Sequence, residues 1–541
     1  MRATKAAMAT SGDGFCGRQW ARRLSAPGLP GWALTGGIAG GLGLLLAAPW
    51  LWQGLVPLTW LSVAALLAMA TGRRGWRGEA LPLAVGAIGL SIAFHWAPTV
   101  LAEAMKKPAI VGFAAMVPIV LWDACRFAVP FWIVGRTITD PRHAWLPAGL
   151  AAVAAEAGLA SVFPWKIGYS QIAWPVLVQA ADLGGAEWPT FMLYAHAGAI
   201  LTLASLPWSR PTPLAAAAVA ACLINVGYGA WAMPHWAARA AAAPQARVAL
   251  VQTDPDDDDA IESLRGLSAR ARAAPSGPPD LVCWPEGSGG SYEEGLDSLA
   301  DAAAIQARSR DPRRGLRPWP EPYAPLLLGG RVYRGYPEKP REIFQAALLL
   351  DRAEAIVGCY HKRHLMPFGE YVPGADVIPE IRLHFPLEVT FDVGADATVI
   401  PCGARARLGP LLCYEDMVPA AACSLATNGA NLFVSLINGA AFTEPLTLRQ
   451  HRLLAQLRAV ENRRCMLRCA ATGETCVIAP TGVVTARLPL HAREVLVADA
   501  PLLDALPPAT RLGPAFPLAC GGLLAAWLLG WLAARKAAQA A

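Results

Sequence analysis

Residues 355–373 of this chain read AIVGCYHKRHLMPFGEYVP, and they decide how its second half folds. The first six residues are apolar enough for a buried strand, and the residues after them turn abruptly charged and rich in Pro and Gly. The same change occurs in LVCWPE at 281–286 and in LGPLLCYE at 408–415. Strands that end in polar side chains are typical of α/β layers, where functional groups collect at the strand ends.

The region between residues 245 and 500 alternates between strand-like and helix-like patterns, separated by Pro, Gly and charged loops. Such alternation predicts an α/β sandwich. The predicted strands are Arg247–Thr253, Leu281–Trp284, Leu326–Tyr333, Ala346–Leu350, Ala355–Tyr360, Leu408–Cys413, Leu432–Ile437 and Cys476–Ala479. The predicted helices cover 259–273, 294–308, 417–428 and 444–463.

The first half of the chain has the composition of a membrane-embedded region. Hydrophobic residues make up 55% of the 541 residues and charged residues only 16%, a balance that favours membrane spans. Several tryptophans lie near the ends of apolar stretches, where interfacial aromatic side chains are common. Apolar stretches of about membrane-spanning length fall near 31–49, 51–70, 80–97, 110–134, 144–163, 188–207, 212–232 and 514–534.

The charges in the loops predict the orientation of these spans. With the N-terminus in the cytoplasm and the spans alternating, thirteen Lys and Arg residues lie inside and three lie in the short outside loops. The positive-inside rule therefore places residues 237–510 outside the cytoplasm. The expected parts are a cytoplasmic tail over 1–30, a membrane domain of about seven helices over 31–236, an α/β domain over 245–500, and a C-terminal transmembrane helix with a short cytoplasmic tail over 512–541.

Composition also argues against other classes of protein. The net charge of +6 is modest, and many Lys and Arg residues flank apolar runs, so no nucleic-acid partner is expected. The twelve cysteines include no Cys-x-x-Cys pair and indicate neither a disulfide framework nor a zinc site. No cofactor and no metal are expected. The acidic run Asp254–Asp259 lacks the ligand spacing of a calcium loop and is predicted to be solvated.

Three charged residues lie inside the predicted apolar stretches of the first half. Asp123 and Arg126 are three residues apart on one face of the fourth apolar stretch, where unpaired charges are costly. An ion pair is the simpler interpretation, and a contact with a lipid headgroup is the alternative. Glu156, in the fifth stretch, has no obvious local partner in the sequence.

Three side chains at the strand ends make a set that can form an acyl-enzyme. Cys413 supplies a sulfur nucleophile, Glu286 a base for its proton, and Lys362 a cation for a developing oxyanion. Each has an ordinary interpretation when taken alone: Cys413 as an inert buried thiol, Lys362 as part of a basic surface loop, and Glu286 as a cap or a solvated residue. Their shared position at strand ends favours the catalytic interpretation.

The sequence also resembles a known family. The segment from Tyr360 to Pro373 is similar, nearly end to end, to the lysine motif of the apolipoprotein N-acyltransferases, the membrane-anchored branch of the nitrilase (carbon–nitrogen hydrolase) superfamily. Cys413-Tyr414-Glu415 resembles the nucleophile motif of that family, and Trp284-Pro285-Glu286 resembles its glutamate motif. Further similarity lies in FPWKIGYSQ at 163–171 and in RAVENRR at 458–464.

The resemblance implies both a fold and a reaction. The fold is a multi-span α-helical membrane domain joined to an extracytoplasmic, nitrilase-like α-β-β-α sandwich, in the inner membrane of a bacterium. The reaction moves a fatty acyl chain from a phospholipid donor, through a thioester on Cys413, to the N-terminal amine of a diacylated lipoprotein. A monomer is expected.

The resemblance also implies roles for individual residues. Glu286 is implied as general base, Lys362 as oxyanion stabiliser and Cys413 as nucleophile. The residues implied to complete the site or to bind substrate are Glu370, Tyr414 and Glu415.

The chain departs from the family pattern in two places. The Asn-Asp-Ala-Trp-Phe of the family is here NGAAF at 438–442, and acids follow Thr253 where the family tends to carry Gly-Asn. These changes leave the three catalytic candidates intact and bear on substrate fit. Two alternatives stay open: a membrane-anchored amidase or acyl hydrolase of the nitrilase superfamily, and a catalytically degenerate scaffold that binds lipid.

Overall fold

The computed structural model of the chain describes residues 31–72, 76–206, 210–253, 260–293, 323–334, 342–387, 389–440, 442 and 444–540. These residues form a helical N-terminal half, an α/β region and a final long helix. The expected N-terminal tail, the acidic run at 254–259 and the helix predicted over 294–308 lie outside the described residues.

Each predicted apolar stretch overlaps a helix. A helix satisfies the backbone hydrogen bonds of its own segment, as an apolar environment requires. The helices of the N-terminal half are α1 Gly31–Leu51, α2 Pro57–Ala70, α3 Trp76–Ala93, α4 Ala97–Ala104, α5 Ala109–Thr137, α6 Trp145–Gly158, α7 Pro175–Val178, α8 Ala181–Gly184, α9 Trp188–Ser205 and α10 Pro213–Ala242.

Within the described part of the chain, four helices are long and apolar enough to cross a membrane by themselves: residues 34–51 of α1, α5, α10 and the final helix Ala515–Ala540. Helices α3 and α4 meet at a bend of 69° and pass the same test as a pair. Helix α2 has 14 residues, so it extends over about 21 Å and is shorter than a hydrocarbon core of about 30 Å. The expected count of about seven spans before residue 237 therefore stays a prediction.

Among the residues that the structure describes, the α/β region contains two sheets and four helices. The strands are β1 Gln245–Gln252, β2 Leu281–Cys283, β3 Ser291–Glu293, β4 Leu326–Arg334, β5 Glu342–Leu350, β6 Ile356–His361, β7 Ile400–Cys402, β8 Ala406–Leu412, β9 Leu432–Asn438, β10 Cys465–Ala471, β11 Cys476–Ile478, β12 Val484–Arg487 and β13 Glu494–Pro501. The helices are α11 Ala260–Arg272, α12 Pro419–Thr427, α13 Pro445–Asn462 and α14 Pro508–Leu512, and the final helix is α15.

The two sheets pack face to face. The first has the order β13-β1-β2-β4-β5-β6, with β3 beside β4, and the second has the order β12-β11-β10-β9-β8-β7. Val248 and Leu250 of β1 meet Leu412 of the second sheet in one core, whereas Ala249 and Val251 face the opposite way, toward α11. Helices α12 and α13 pack on the second sheet. The predicted fold class, a helical membrane domain plus an α-β-β-α sandwich, is confirmed.

Strand directions bring the candidate residues to one end of the sandwich. Strand β2 is parallel to β4, and β4 to β5 and β5 to β6 are antiparallel, so β2 and β6 run the same way. Glu286 and Lys362 follow these two strands, so both lie at the same end of the first sheet, beyond the C-terminal ends of β2 and β6. In the second sheet β8, β9 and β10 are parallel, and Cys413 follows β8 directly.

Helix α13 joins the two halves of the molecule. Its residues Leu453, Leu454 and Leu457 are buried in the same core as the membrane helices. Arg463, which follows its last turn, is fully buried, and its Nη2 lies 2.7 Å from Asp182 Oδ2 and donates to the carbonyl of Gln179 at 2.8 Å. The guanidinium also donates to the carbonyl of Pro480 in its own half at 3.1 Å, and only the docked arrangement adds Asp182 and Gln179 to its partners.

Replacement of Arg463 by Met tests this junction. The variant leaves Asp182 buried without its cation, and breaking a buried ion pair costs about 3–5 kcal/mol of unfolding free energy. We expect a clear fall in the midpoint of thermal unfolding of the detergent-solubilised protein. The matched control is Arg382→Met, which removes an exposed pair with Asp376 and is expected to cost about 0–1 kcal/mol. Equal effects of the two variants would contradict this account.

Candidate active site

Cys413 begins a short 3₁₀ turn, Cys413–Met417, at the point where β8 ends. Its backbone is left-handed, with φ +46°, a conformation that costs a residue with a Cβ about 1–3 kcal/mol. The turn thereby aims the thiol out of the sheet and into a cavity. Strained backbone that is retained at a strand end is typical of functional residues.

Lys362 lies between two carboxylates. Its Nζ is 3.3 Å from Glu286 Oε1 and 2.6 Å from Glu370 Oε1, and the side chain is only 1% exposed. Burial alone disfavours the ammonium, but the two carboxylates outweigh it and raise the pKa of Lys362. Lys362 is therefore a fixed cation throughout the working pH range.

The surroundings of Glu286 and Cys413 raise the pKa of both groups. Burial raises the pKa of the Glu286 carboxyl, Glu370 raises it further, and Lys362 opposes both. Burial and the charge of Glu286 raise the pKa of the Cys413 thiol, while Lys362 lowers it. The thiol is therefore protonated at rest, and the nearby carboxylate has a raised affinity for its proton.

Glu370 and Glu415 hold the backbone around these groups. The second oxygen of Glu370 accepts a hydrogen bond from Met366 N at 2.7 Å. Glu415 Oε1 accepts from the hydroxyl of Tyr360 at 2.7 Å and from Arg363 N at 2.8 Å, and its Oε2 accepts from Leu412 N at 2.9 Å. Glu415 thus ties the loop after β6 to the turn after β8.

Asp416 was not predicted and forms a second buried network. It accepts hydrogen bonds from Ser435 Oγ at 2.8 Å and Arg468 Nε at 3.0 Å, and its other oxygen lies 2.7 Å from His451 Nε2. Although burial favours the neutral acid, His451 and Arg468 lower the pKa of Asp416 to about 2. The only signal in the sequence was an acid three residues after the nucleophile candidate.

A largely apolar cavity lies in front of Cys413. Both halves of the chain line it, and Tyr414 bridges them, since its hydroxyl donates to the carbonyl of Val162 at 3.4 Å. The wall residues from the helical half include Trp50, Phe94, Trp96 and Trp165, and those from the α/β region include Cys413, Tyr414, Phe442 and His451. Apolar chains therefore fit this space better than polar substrates.

The predicted site residues thus come together. Glu286, Lys362 and Glu370 are in direct contact, Cys413 lies within their electrostatic reach, and Tyr414 faces the cavity. Glu415 lies behind them as a structural anchor. Within the described ranges, no group of three His, Cys, Asp or Glu residues is arranged to hold a metal ion.

The three charged residues inside the predicted apolar stretches also have partners. Arg126 Nη1 lies 2.6 Å from Asp123 Oδ1, which confirms the ion pair predicted for them. Glu156, which had no local partner in the sequence, accepts hydrogen bonds from Thr190 Oγ1 at 2.6 Å and from Ile167 N at 2.8 Å. These carboxylates are thereby satisfied within the protein.

Comparisons with known proteins cover both halves of the chain. The family model described as carbon-nitrogen hydrolase matches residues 247–505, and that of the apolipoprotein N-acyltransferase N-terminal domain matches residues 42–199. An apolipoprotein N-acyltransferase of Azotobacter vinelandii is 30% identical over 541 residues, which cover 96% of this chain and 98% of the relative. One of Geobacter metallireducens is 28% identical over 498 residues, covering 88% and 91%.

Two solved structures are similar to part of the chain. Nit3 of Saccharomyces cerevisiae, a member of branch 10 of the nitrilase superfamily, is 19% identical with a TM-score of 0.34 and covers 48% of this chain and 90% of its own. An amidase from Nesterenkonia sp. is 22% identical with a TM-score of 0.33, covering 47% and 90%.

The full-length relatives favour acyl transfer over the hydrolase and scaffold alternatives that the sequence left open. They also agree with the apolar helices in indicating a protein of the membrane. The chain belongs to the apolipoprotein N-acyltransferase family and is an acyltransferase that carries a carbon–nitrogen hydrolase domain.

Proposed function

We propose that Cys413, Glu286 and Lys362 carry out acyl transfer from a phospholipid to the N-terminal amine of a diacylated lipoprotein. One observation carries the proposal: a buried thiol opens onto an apolar cavity beside a lysine that is held by two carboxylates. This arrangement combines a nucleophile, a base and a cation in a site from which bulk water is largely excluded.

In the first half-reaction Glu286 takes the proton of the Cys413 thiol, and the sulfur attacks the acyl ester of the phospholipid. Lys362 stabilises the oxyanion of the tetrahedral intermediate. The intermediate collapses to a thioester, and Glu286 returns the proton to the departing lysophospholipid. In the second half-reaction the amine of the lipoprotein attacks the thioester, an amide forms, and the thiol is restored. Two half-reactions through one acyl-enzyme imply ping-pong kinetics.

The cavity supports lipid substrates by its lining and its location. Each buried CH₂ contributes about 0.8 kcal/mol, so an acyl chain binds an apolar space strongly. Trp50 lies in the last turn of α1, and Phe94 and Trp96 lie in the bend between α3 and α4, where an acyl chain can pass from the bilayer toward Cys413. Glu370, Tyr414 and Glu415 complete the site in our proposal by holding Lys362, bridging the two halves and fixing the turn of the nucleophile.

We further propose the membrane orientation that the loop charges indicate. Thirteen basic residues against three place the N-terminus inside and residues 237–510 outside the cytoplasm. The expected parts, with a membrane domain over 31–236, a catalytic domain over 245–500 and a C-terminal transmembrane helix over 512–541, follow from the same alternation. In this orientation the acceptor reaches the site from the outer face of the inner membrane. We propose that the enzyme acts as a monomer.

Mass spectrometry of the protein incubated with phospholipid alone tests the intermediate. We expect one acyl chain on Cys413, because the thioester persists until an amine arrives, and we expect a diacylated lipopeptide to remove it and yield N-acylated peptide. Cys413→Ala should form neither product, while the control Cys423→Ala should form both. Amide formation by Cys413→Ala at a near wild-type rate would defeat the proposal, and free fatty acid without amide would indicate a hydrolase.

The pH dependence of acyl-enzyme formation tests the role of Glu286. Because its pKa is raised, the rate should fall on the acid side at a pH above the ordinary glutamate value of 4.5. Glu370→Gln removes one of the charges that raise this pKa, so the acid limb should move to lower pH. The control is Asp376→Asn, whose carboxylate is 95% exposed and whose loss should leave the limb in place. An acid limb that stays still or moves up in Glu370→Gln would exclude Glu286 as the base.

A further inference from the structure

The pair formed by His451 and Asp416 has no part in the mechanism above, yet it lies at the cavity wall. His451, on α13, lines the same cavity as Cys413. Its Nε2 lies 2.7 Å from Asp416 Oδ1, so the imidazole donates from Nε2 and keeps a lone pair on Nδ1. Nδ1 has no hydrogen bond to any of the described residues. It is also not one of the side-chain atoms that are both inaccessible to solvent and without a partner. The lone pair is therefore accessible from the cavity.

The carboxylate behind His451 is held in its ionised form. Asp416 is fully buried and bonded to Arg468 Nε at 3.0 Å and Ser435 Oγ at 2.8 Å. An ionised carboxylate against an imidazole fixes the tautomer and stabilises the imidazolium that forms when Nδ1 takes a proton. Other charged groups around His451 include Arg468, reached through Asp416, and the adjacent Arg452, which is paired with Glu474 at 2.7 Å. Asp123, which lines the same cavity, is paired with Arg126.

The two half-reactions of the proposed function differ in their proton balance. Formation of the thioester from an ester and a thiol moves one proton from sulfur to the departing alcohol and releases none. The acceptor has an α-amino group with a pKa of about 7.7–8.0, so at pH 7 it arrives mostly as an ammonium. It must lose one proton before it can attack, and it loses a second one when the amide forms. One proton returns to the sulfur and the other leaves the enzyme.

Glu286 handles one of these two protons. It lies beside Lys362, and it returns the second proton of the nitrogen to the thiolate of Cys413. A single carboxylate holds one proton at a time, and Glu286 is needed for the proton that moves from nitrogen to sulfur. The first proton is therefore best removed elsewhere in the cavity.

We propose that His451 removes this first proton, an inference that rests on the proposed function. Nδ1 takes a proton from the acceptor ammonium, which leaves a neutral amine and an imidazolium paired with Asp416. The amine then attacks the thioester, the carbon–sulfur bond breaks, and Glu286 carries the remaining proton from nitrogen to sulfur. His451 then gives its proton to water. His451 is thus a catalytic residue of the second half-reaction alone.

Single-turnover measurements on His451→Gln separate the two half-reactions. The glutamine amide can still donate to Asp416, so the buried network keeps a partner. Acyl-enzyme formation from phospholipid, followed by mass spectrometry, should stay within about threefold of wild type, whereas transfer to a diacylated lipopeptide at pH 7 should slow by about 100-fold. The deficit should shrink above about pH 8 to 9, where solvent deprotonates the acceptor. His384→Gln, at an exposed position, is the control and should behave as wild type.

Each other outcome overturns the inference. Equal loss in both half-reactions, or a deficit that persists at alkaline pH, would mean that His451 only shapes the cavity, and His451→Asn provides a second variant for the same comparison. Transfer by His451→Gln at the wild-type rate would mean that another group takes the proton. Failure of the proposed function looks different, because wild-type protein would then form no adduct on Cys413.

Discussion

The ammonium of Lys362, buried between the carboxylates of Glu286 and Glu370, is the interaction on which the rest of the site depends. Removing an ion from water costs several kcal/mol, and only close opposite charges and hydrogen bonds offset that cost. Here two carboxylates share one cation, so one negative charge is left without a full counterion. Burial raises the pKa of Glu286, and the charge of Glu370 adds to that effect against the opposing charge of Lys362. A base of this kind suits a thiol whose pKa burial also raises. The reactivity of the site thus follows from the number of buried charges.

Neither half of the chain builds these surroundings alone. The cavity in front of Cys413 has one wall of membrane helices and one wall from the sandwich, so the site exists only when the two are docked. Docking rests on buried polar contacts as well as on apolar packing. Arg463 reaches Asp182, and Arg458 Nη2 donates to the hydroxyl of Tyr169 at 3.2 Å. Contacts of this kind tolerate little sliding, because a displaced guanidinium would lose its partners in a medium without water.

The sequence predicted the strand ends well because each is an apolar run broken by a charge, as at Glu286, Lys362 and Cys413. Strand β13 escaped prediction because Glu494 and Asp499 interrupt its pattern, although all eight of its residues pair with β1. The contact of Asp416 with His451 spans 35 positions and joins a turn to a helix, and periodicity carries no information about such tertiary contacts. Apolar stretches marked the described helices that are long enough to span a membrane by themselves, but hydropathy does not report where a helix such as α2 stops short of a full crossing. The resemblance to the family supplied the roles that residue patterns alone left open.

The left-handed backbone at Cys413 has a consequence for the stability of the fold. Glycine would relieve the strain of that turn, since it adopts positive φ at no steric cost. A glycine at this position would fold with less strain, but it would carry no thiol. Cys413 therefore provides reactivity at a cost in folding stability, and enzymes with strained active sites are in general less stable than their fold would allow.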